Sequence, residues 1–315
     1  NAVANMLANL KGTAHQDLAQ LIFNGVAQGS DASALAIVKE KLVGTQAPTE
    51  PSVSWREERP SLAEQRHWSS VITTSQAELA ALNGKVSRGF HSKQIFGGAV
   101  TLKVNSDLPV EARIPPFWDA KTNKPANLSG LVRMSNGQGC PFKDAAPDVR
   151  GLAVKLVDDA GKPWDILSTN HQTFAENTQQ FIAFTKGDRA AQLAGTSIAG
   201  MVKGQAQEFA VLTKQLGAVQ AARISAQLAK DTVLQSVNGM TTQSYDGGTF
   251  KTPDGHLAKI LFTPVPDQVD CMSRHDMEND ANGLTTEMYR HFQSGPVKFR
   301  VQLKLFAGNG DELKA

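Results

Sequence analysis

The chain has 315 residues and a formal net charge of +2 at pH 7. The length is enough for a sizeable core, either as one large domain with an extension or as two domains. The small net charge and the lack of a polybasic run argue against a nucleic-acid-binding or membrane-surface protein. No apolar stretch is long enough to cross a bilayer. The chain begins at Asn1 without a visible signal peptide, so cytoplasmic and periplasmic locations both stay open.

The N-terminal residues divide into a helical extension and a linker. Residues 1–46 carry leucines at helical spacing, and Ser30-Asp31 forms an N-cap signal before an apolar face over Ala32–Val43. We interpret this part as a packing or oligomerisation extension, and we therefore expect a homo-oligomer. Residues 47–62 are rich in proline and charge, which indicates a linker or an extended arm.

Residues 63–315 are predicted to form an α+β domain around an antiparallel β-barrel. Helical spacing predicts helices over Ala63–Leu82, at about 176–235 and over Asn282–Phe292, whereas Gly239–Gly255 resembles a loop and residues 106–130 look irregular. Alternation of apolar and polar residues predicts the strands, which run over Gly97–Asn105, Leu131–Ser135, Gly151–Val157, Trp164–Leu167, Leu257–Val265 and Pro296–Phe306.

The most distinctive stretch lies between Arg133 and Phe174. It contains V-R-M-S at 132–135, D-V-R-G-L-A-V-K at 148–155 and W-D-I-L at 164–167, followed by a polar turn. Arg133 lies in a predicted strand and needs an anion if it faces inward, and the same holds for Arg150. Upstream, R-G-F-H at 88–91 brings a histidine to the start of a strand.

These blocks resemble the haem-catalase family, in particular its small catalase-like branch, the catalase-related peroxidases. The family's segments read V-R-F-S, D-P-R-G-F-A-V-K and W-D-L-V, and its distal histidine lies in an Arg-x-x-His sequence. The order and spacing agree from Arg88 to Phe174, and a weaker similarity continues to about residue 305. The resemblance implies a haem-catalase barrel, a haem b cofactor, and catalase or peroxidase activity on hydrogen peroxide or an organic hydroperoxide.

The resemblance also implies catalytic residues. His91 would be the distal base, and an imidazole can accept a proton from one peroxide oxygen and return it to the other. Ser135 would hold the His91 ring. The family's hydrogen-bond donor to the peroxide is an asparagine, and an ungapped alignment of the W-D-I-L block puts Thr169 at that position and Asn170 one residue later. Asn170 is the donor that we favour, and the Thr169 hydroxyl is the alternative. His171 is a third polar candidate in the same turn.

Three further residues are implied as cofactor contacts. Arg88 and Arg133 match positions that pair with haem propionates, for which the guanidinium fork is suited. Phe174 fits an aromatic residue on the porphyrin face. Arg150, in contrast, is expected to be a structural ion-pair residue, with Asp148 as its candidate partner.

The iron ligand is where the sequence departs from the family, which uses a tyrosine in an Arg-x-x-x-Tyr pattern. Tyr245 and Tyr289 lack that arginine, so the metal ligand is unknown. We expect a longer natural chain that carries this tyrosine; the alternative is a catalase-fold protein that has lost haem and has a binding or structural role. A third hypothesis, a metal hydrolase based on Cys271, His275 and Asp276, rests on a spacing that helices produce by chance.

Two further expectations follow from the composition and the length. Two cysteines, Cys140 and Cys271, are too few for a disulfide framework, so we expect ordinary thiols. A chain shorter than the full-size catalases has less material to narrow the approach to the haem. Organic hydroperoxides and reducing co-substrates are therefore expected to be used beside hydrogen peroxide.

Overall fold

The structure is a computed structural model, and it describes residues 60–82, 90–139, 142–144, 146, 148–170, 175, 177–195, 198–235, 239–253 and 255–306. The predicted helical extension over residues 1–46 and most of the linker over residues 47–62 lie outside these ranges. The same is true of four of the residues discussed above, which are Arg88, Cys140, His171 and Phe174.

The described part of the chain contains a seven-stranded antiparallel sheet that curls into a half-barrel. Its strands follow the order β1-β4-β5-β6-β7-β8-β9, and β2 and β3 pair separately. Within the described residues β1 and β9 do not pair, so the predicted barrel is an open half-barrel there. The strands are β1 (Gln94–Leu102), β2 (Trp118–Asp119), β3 (Lys124–Pro125), β4 (Leu128–Asn136), β5 (Arg150–Val157), β6 (Pro163–Thr169), β7 (Tyr245–Lys251), β8 (Leu257–Pro264) and β9 (Phe299–Phe306).

Six α-helices lie in the described ranges, and all but the short helix Arg274–Asn279 fall in the predicted helical regions. A glycine in the left-handed region, Gly217 with φ of 86°, separates the third from the fourth. None of the described helices combines the length and apolar character needed to cross a membrane. The helices are α1 (Leu62–Leu82), α2 (Thr178–Leu193), α3 (Ile198–Leu216), α4 (Ala218–Gln235), α5 (Arg274–Asn279) and α6 (Gly283–Ser294).

Apolar residues form two separate cores. The main core lies on one face of the sheet, where Met134, Leu152 and Ile166 pack with residues of α5 and α6 such as Met277 and Met288. This explains the alternating burial of β5 and β6, because side chains of successive strand residues point to opposite faces. The second core joins α2, α3 and α4 through residues such as Ala183, Leu212 and Ile224.

The other face of the central strands carries the residues of interest. In the register, Ser135 pairs with Gly151, which pairs with Thr169, and Arg133 pairs with Ala153, which pairs with Leu167. Directly paired residues of antiparallel strands point to the same side of the sheet. We call this side the His91 face, and it is defined by Leu131, Arg133, Ser135, Gly151, Ala153, Leu167 and Thr169.

The prediction of a loop over Gly239–Gly255 was wrong, because β7 lies within it and pairs with β6 and β8. Gly247 and Gly248 lower the strand propensity of this segment, but pairing on both sides outweighs that preference. A side chain at Gly247 would put its Cβ 3.1 Å from the backbone oxygen of Ile260, and the register shifts between Asp246 and Thr249. The glycines therefore belong to an irregular strand.

Candidate functional site

His91 lies three residues before β1, in a loop that is hydrogen-bonded to the turn at residues 137–139. Its φ is 52°, an uncommon value for a residue with a side chain. The His91 amide donates to the backbone oxygen of Gly137 at 2.7 Å, and Ser92 donates through its hydroxyl to the backbone oxygen of Gly139 at 2.6 Å. These bonds fix the backbone and offset the cost of the unusual conformation.

The His91 ring lies on the end of β4 and β5. Its Nδ1 is 3.1 Å from the hydroxyl oxygen of Ser135, which is buried. At Gly151 a Cβ would lie 2.8 Å from both Cε1 and Nδ1 of His91 and 3.2 Å from the Ser135 hydroxyl. The ring therefore occupies the space that any larger residue at position 151 would need. This role of Gly151 was not predicted, although the R-G pair in D-V-R-G is its signal in the sequence.

Arg133 joins the same group of residues. It lies two residues before Ser135 on β4, so both side chains are on the His91 face. A guanidinium nitrogen of Arg133 donates to the backbone oxygen of His91. The predicted residues His91, Ser135 and Arg133 thus lie together, and Arg133 brings a positive charge to this face.

Thr169 and Asn170, the two candidates for the peroxide donor, have different surroundings. Thr169 is half-buried on the His91 face, opposite Gly151 in the register. Asn170 is buried: its side-chain oxygen accepts from the Arg150 amide at 2.7 Å, and its Nδ2 donates to the side-chain oxygen of Gln243 at 2.5 Å. The Asn170 amide therefore ties β5 to the segment before β7, and it is not joined to His91.

Arg150 has the structural role that its sequence block predicts. Its side chain is fully buried, Nη1 lies 3.8 Å from a carboxylate oxygen of Asp148, and the same nitrogen donates to the side-chain oxygen of Asn136 at 2.5 Å. Burial raises the pKa of Asp148 to about 6, against the opposing effect of the Arg150 charge. The predicted pair is present, and it stabilises the turn that supports His91.

The two tyrosines of the chain lie away from the His91 face. Tyr245 is fully buried in the main core, and its hydroxyl donates to the backbone oxygen of Met240 at 2.7 Å. Burial raises the pKa of the Tyr245 phenol, which disfavours the phenolate that iron requires. Tyr289 is 65% exposed on α6. Neither tyrosine has the surroundings of an iron ligand.

The residues of the His91 face do fit one side of a flat, largely apolar cofactor with carboxylate arms. Leu131 and Leu167 are 63% and 71% exposed there, although leucines are ordinarily buried. Gly151 and Ala153 lie on β5, between the strands that carry the two leucines, and they have almost no side chain to project from the sheet there. Arg133 supplies a cation suited to a carboxylate. Neither leucine was predicted as a candidate contact, because strand alternation alone does not show which face is left exposed.

No family model matches the chain. Among curated proteins, the chain is similar to the protein named catalase-related peroxidase from Mycolicibacterium paratuberculosis (strain ATCC BAA-968 / K-10), with 27% identity over 229 residues. The matched region covers 69% of this chain and 65% of the relative, so the chain spans less than two thirds of the relative's length. The chain is thus distantly similar to a catalase-related peroxidase.

Proposed function

We propose that this protein is a haem-dependent enzyme that decomposes hydrogen peroxide or organic hydroperoxides by catalase or peroxidase chemistry. The observation that carries the proposal is the position of the His91 imidazole, which Ser135 and Gly151 hold at the end of a partly apolar sheet face. The name of the distant relative, a catalase-related peroxidase, supports the same class of reaction.

His91 is the proton-transfer residue in this proposal. Its Nδ1 lies 3.1 Å from the Ser135 hydroxyl, and we assign the exchange of the proton with the peroxide to Nε2. When bound, haem would supply the iron at which the peroxide O–O bond is cleaved. His91 takes the proton from one peroxide oxygen and returns it to the other, which leaves as water from hydrogen peroxide or as an alcohol from an organic hydroperoxide.

The remaining residues of the His91 face position the reactants. Arg133 pairs with a cofactor carboxylate, and Leu131 and Leu167 cover the apolar part of the cofactor. Thr169 donates its hydroxyl to the peroxide, a role that the resemblance gives to an asparagine. Arg88 and Phe174 are proposed as further cofactor contacts on the strength of the resemblance alone.

Spectra and turnover of the protein produced with a supply of haem test the proposal. The parent should show a Soret band and decompose peroxide. His91→Ala should keep the band and lose about 10²–10⁴-fold in turnover, because it removes the proton-transfer group. His67→Ala, at an exposed position of α1, is the matched control and should leave turnover unchanged.

Two outcomes count against the proposal. A parent protein without a Soret band supports the alternative of a catalase-like protein that binds no haem. Unchanged turnover in His91→Ala, with the band intact, would remove His91 from the reaction while leaving haem binding in place.

A further inference from the structure

A second cluster of reactive side chains lies on the main-core side of the sheet, away from the His91 face. Glu287 and His291 are one turn apart on α6, so both project from the same side of the helix. Cys271 approaches them from the loop before α5. One potential ligand atom from each of the three residues lies within 4.8 Å of the other two.

Glu287 is the unusual member of this cluster. Its side chain is fully buried, and one carboxylate oxygen lies 2.8 Å from His291 Nε2 and accepts from the Cys271 amide at 3.3 Å. The other carboxylate oxygen, Oε2, is buried and has no hydrogen-bond partner among the described residues. A buried carboxylate oxygen without a partner is costly, and such a group in a folded protein calls for an explanation such as a bound ion.

The surroundings of Glu287 add negative charge. The Asp270 carboxylate accepts from the Gly239 amide at 3.1 Å, and a Cβ at Gly239 would lie 2.3 Å from Asp270 Oδ1 and 2.9 Å from Glu287 Oε1. Only glycine leaves room for the two carboxylates so near this turn. Burial, together with the Asp270 charge, raises the pKa of Glu287 to about 7. A cation at this point would offset both charges.

We propose that Cys271, Glu287 and His291 form a binding site for a divalent transition-metal ion of the zinc class. Sulfur, imidazole nitrogen and carboxylate oxygen are the donors that zinc prefers, whereas magnesium and calcium sites are built from oxygen alone. Three protein ligands leave one position of a tetrahedral ion for water or another ligand. Cys271 is exposed, so solvent and the ion reach the cluster from the surface.

The proposed ligands differ from the set suggested by the sequence, which was Cys271, His275 and Asp276. His275 lies four residues after Cys271, but it is exposed at the start of α5 and its ring lies 2.9 Å from the side-chain nitrogen of Asn279. In the part of the chain that the structure describes, Cys271 clusters with α6 and not with His275. His291, a proposed ligand, and His275, which lies outside the cluster, are therefore matched positions for substitution.

Zinc binding to metal-stripped protein, measured by calorimetry, tests the proposal. The parent should bind one ion, and Cys271→Ser and His291→Gln should each weaken binding by more than about 10-fold, since even changes outside the ligand shell cost that much. His275→Gln should bind as the parent does. Cobalt bound to the parent should show a thiolate charge-transfer band that Cys271→Ser abolishes and His275→Gln keeps.

Thermal unfolding separates loss of the site from loss of the fold. Zinc should raise the melting temperature of the parent and of His275→Gln, because the ion binds only the folded state, and it should leave Cys271→Ser unchanged. The exposed Cys271 can be replaced without creating a cavity. No stoichiometric binding in the parent, or equal affinity in the parent and Cys271→Ser, would overturn the proposal.

Discussion

Thr169 and Asn170 show how much one residue of strand position matters. They are neighbours in the chain, yet Thr169 is on the His91 face and Asn170 is buried in contact with Gln243. A shift of one residue along a strand moves every side chain to the other face. The sequence blocks are enough to bring His91, Ser135 and Arg133 into one candidate site, but the choice between Thr169 and Asn170 requires the register with β5.

The two residues should therefore respond differently to substitution. Thr169→Val keeps the shape of the side chain and removes the hydroxyl, so we expect lower peroxide turnover with a smaller loss in the free energy of unfolding than in Asn170→Ala. Asn170→Ala leaves the buried Arg150 amide and Gln243 without their partners, which should lower that free energy by about 1–3 kcal/mol. Denaturant unfolding and turnover measured on both variants make the comparison. The reverse pattern would make Asn170 the donor.

Gly151 offers a second prediction at the residue scale. Gly151→Ala adds a Cβ where the His91 ring lies, 2.8 Å from two ring atoms, so the ring must move away from Ser135. We expect turnover to fall by about 10-fold or more while haem content is retained, since small displacements of a catalytic group are costly. Gly248→Ala is the control, because a Cβ at Gly248 would meet no atom within 4 Å. Gly161→Ala is unsuitable, because the φ of Gly161 is 77°, a conformation that alanine rarely adopts. Equal turnover in Gly151→Ala and Gly248→Ala would contradict the proposed role of the ring.

At the scale of elements, the packing of α2 on α3 brings two acidic side chains together. A Cβ at Gly187 of α2 would lie 3.0 Å from the Glu208 side chain of α3, so glycine permits the close approach. Burial, and then the charge of Asp188, raises the pKa of Glu208 to about 8. Burial likewise raises the pKa of Asp188 to about 7, against the effect of its hydrogen bond from Gln192. Both acids are more easily protonated in the folded state than in the unfolded state.

This arrangement predicts that stability declines as the pH rises. The folded-state pKa of Glu208 lies above its ordinary value of 4.5, so the associated stabilisation is complete below about 4.5 and is lost as the pH rises through about 8. Glu208→Gln removes the contribution of Glu208 to this pH dependence and leaves that of Asp188. The variant should be more stable than the parent above pH 8 by roughly 1–3 kcal/mol, a small figure because the Glu208 side chain is only half-buried. Thermal melts of the parent and of Glu208→Gln from pH 5 to 9 measure this difference in stability. Glu111→Gln, at an exposed position, is the control. A parent melting temperature that does not change with pH would contradict it.

The elements also show where local sequence signals are sufficient. The predicted strand over Pro296–Phe306 contains β9, because its alternation reflects one buried and one exposed face. Strand β7 was missed because two glycines hide its pattern, and only its partners β6 and β8 make it a strand. The short helix α5 was missed as well, since six residues carry too little periodicity to be recognised.

At the scale of the whole molecule, the α+β class and a curved antiparallel sheet were predictable, and the extent to which the sheet closes was not. Counting strands and helices indicates the class. The extent of closure depends on pairing between strands that are far apart in sequence, such as β6 with β7, which are separated by the three helices α2, α3 and α4. The helices contact the site loop through Gln192 of α2, whose side-chain oxygen accepts from the Gly139 amide at 2.9 Å. The helical region thus helps to hold the turn against which His91 is fixed.

The Asp144 carboxylate has a consequence for the order in which the protein folds. One oxygen contacts Asn136 Nδ2 at 2.9 Å and Lys93 Nζ at 2.7 Å, close to His91, and the other accepts from the Leu284 amide in α6 at 3.1 Å. Closing the long chain segment between Asp144 and Leu284 has an entropic cost that slows folding. We therefore expect the His91 loop to become ordered only when α6 docks. Pulsed hydrogen exchange during refolding should show the His91 and Leu284 amides gaining protection in the same phase, and earlier protection of His91 would contradict this order. Assembly of the catalytic geometry would then be a late event, and partly folded chains would lack a correctly placed histidine.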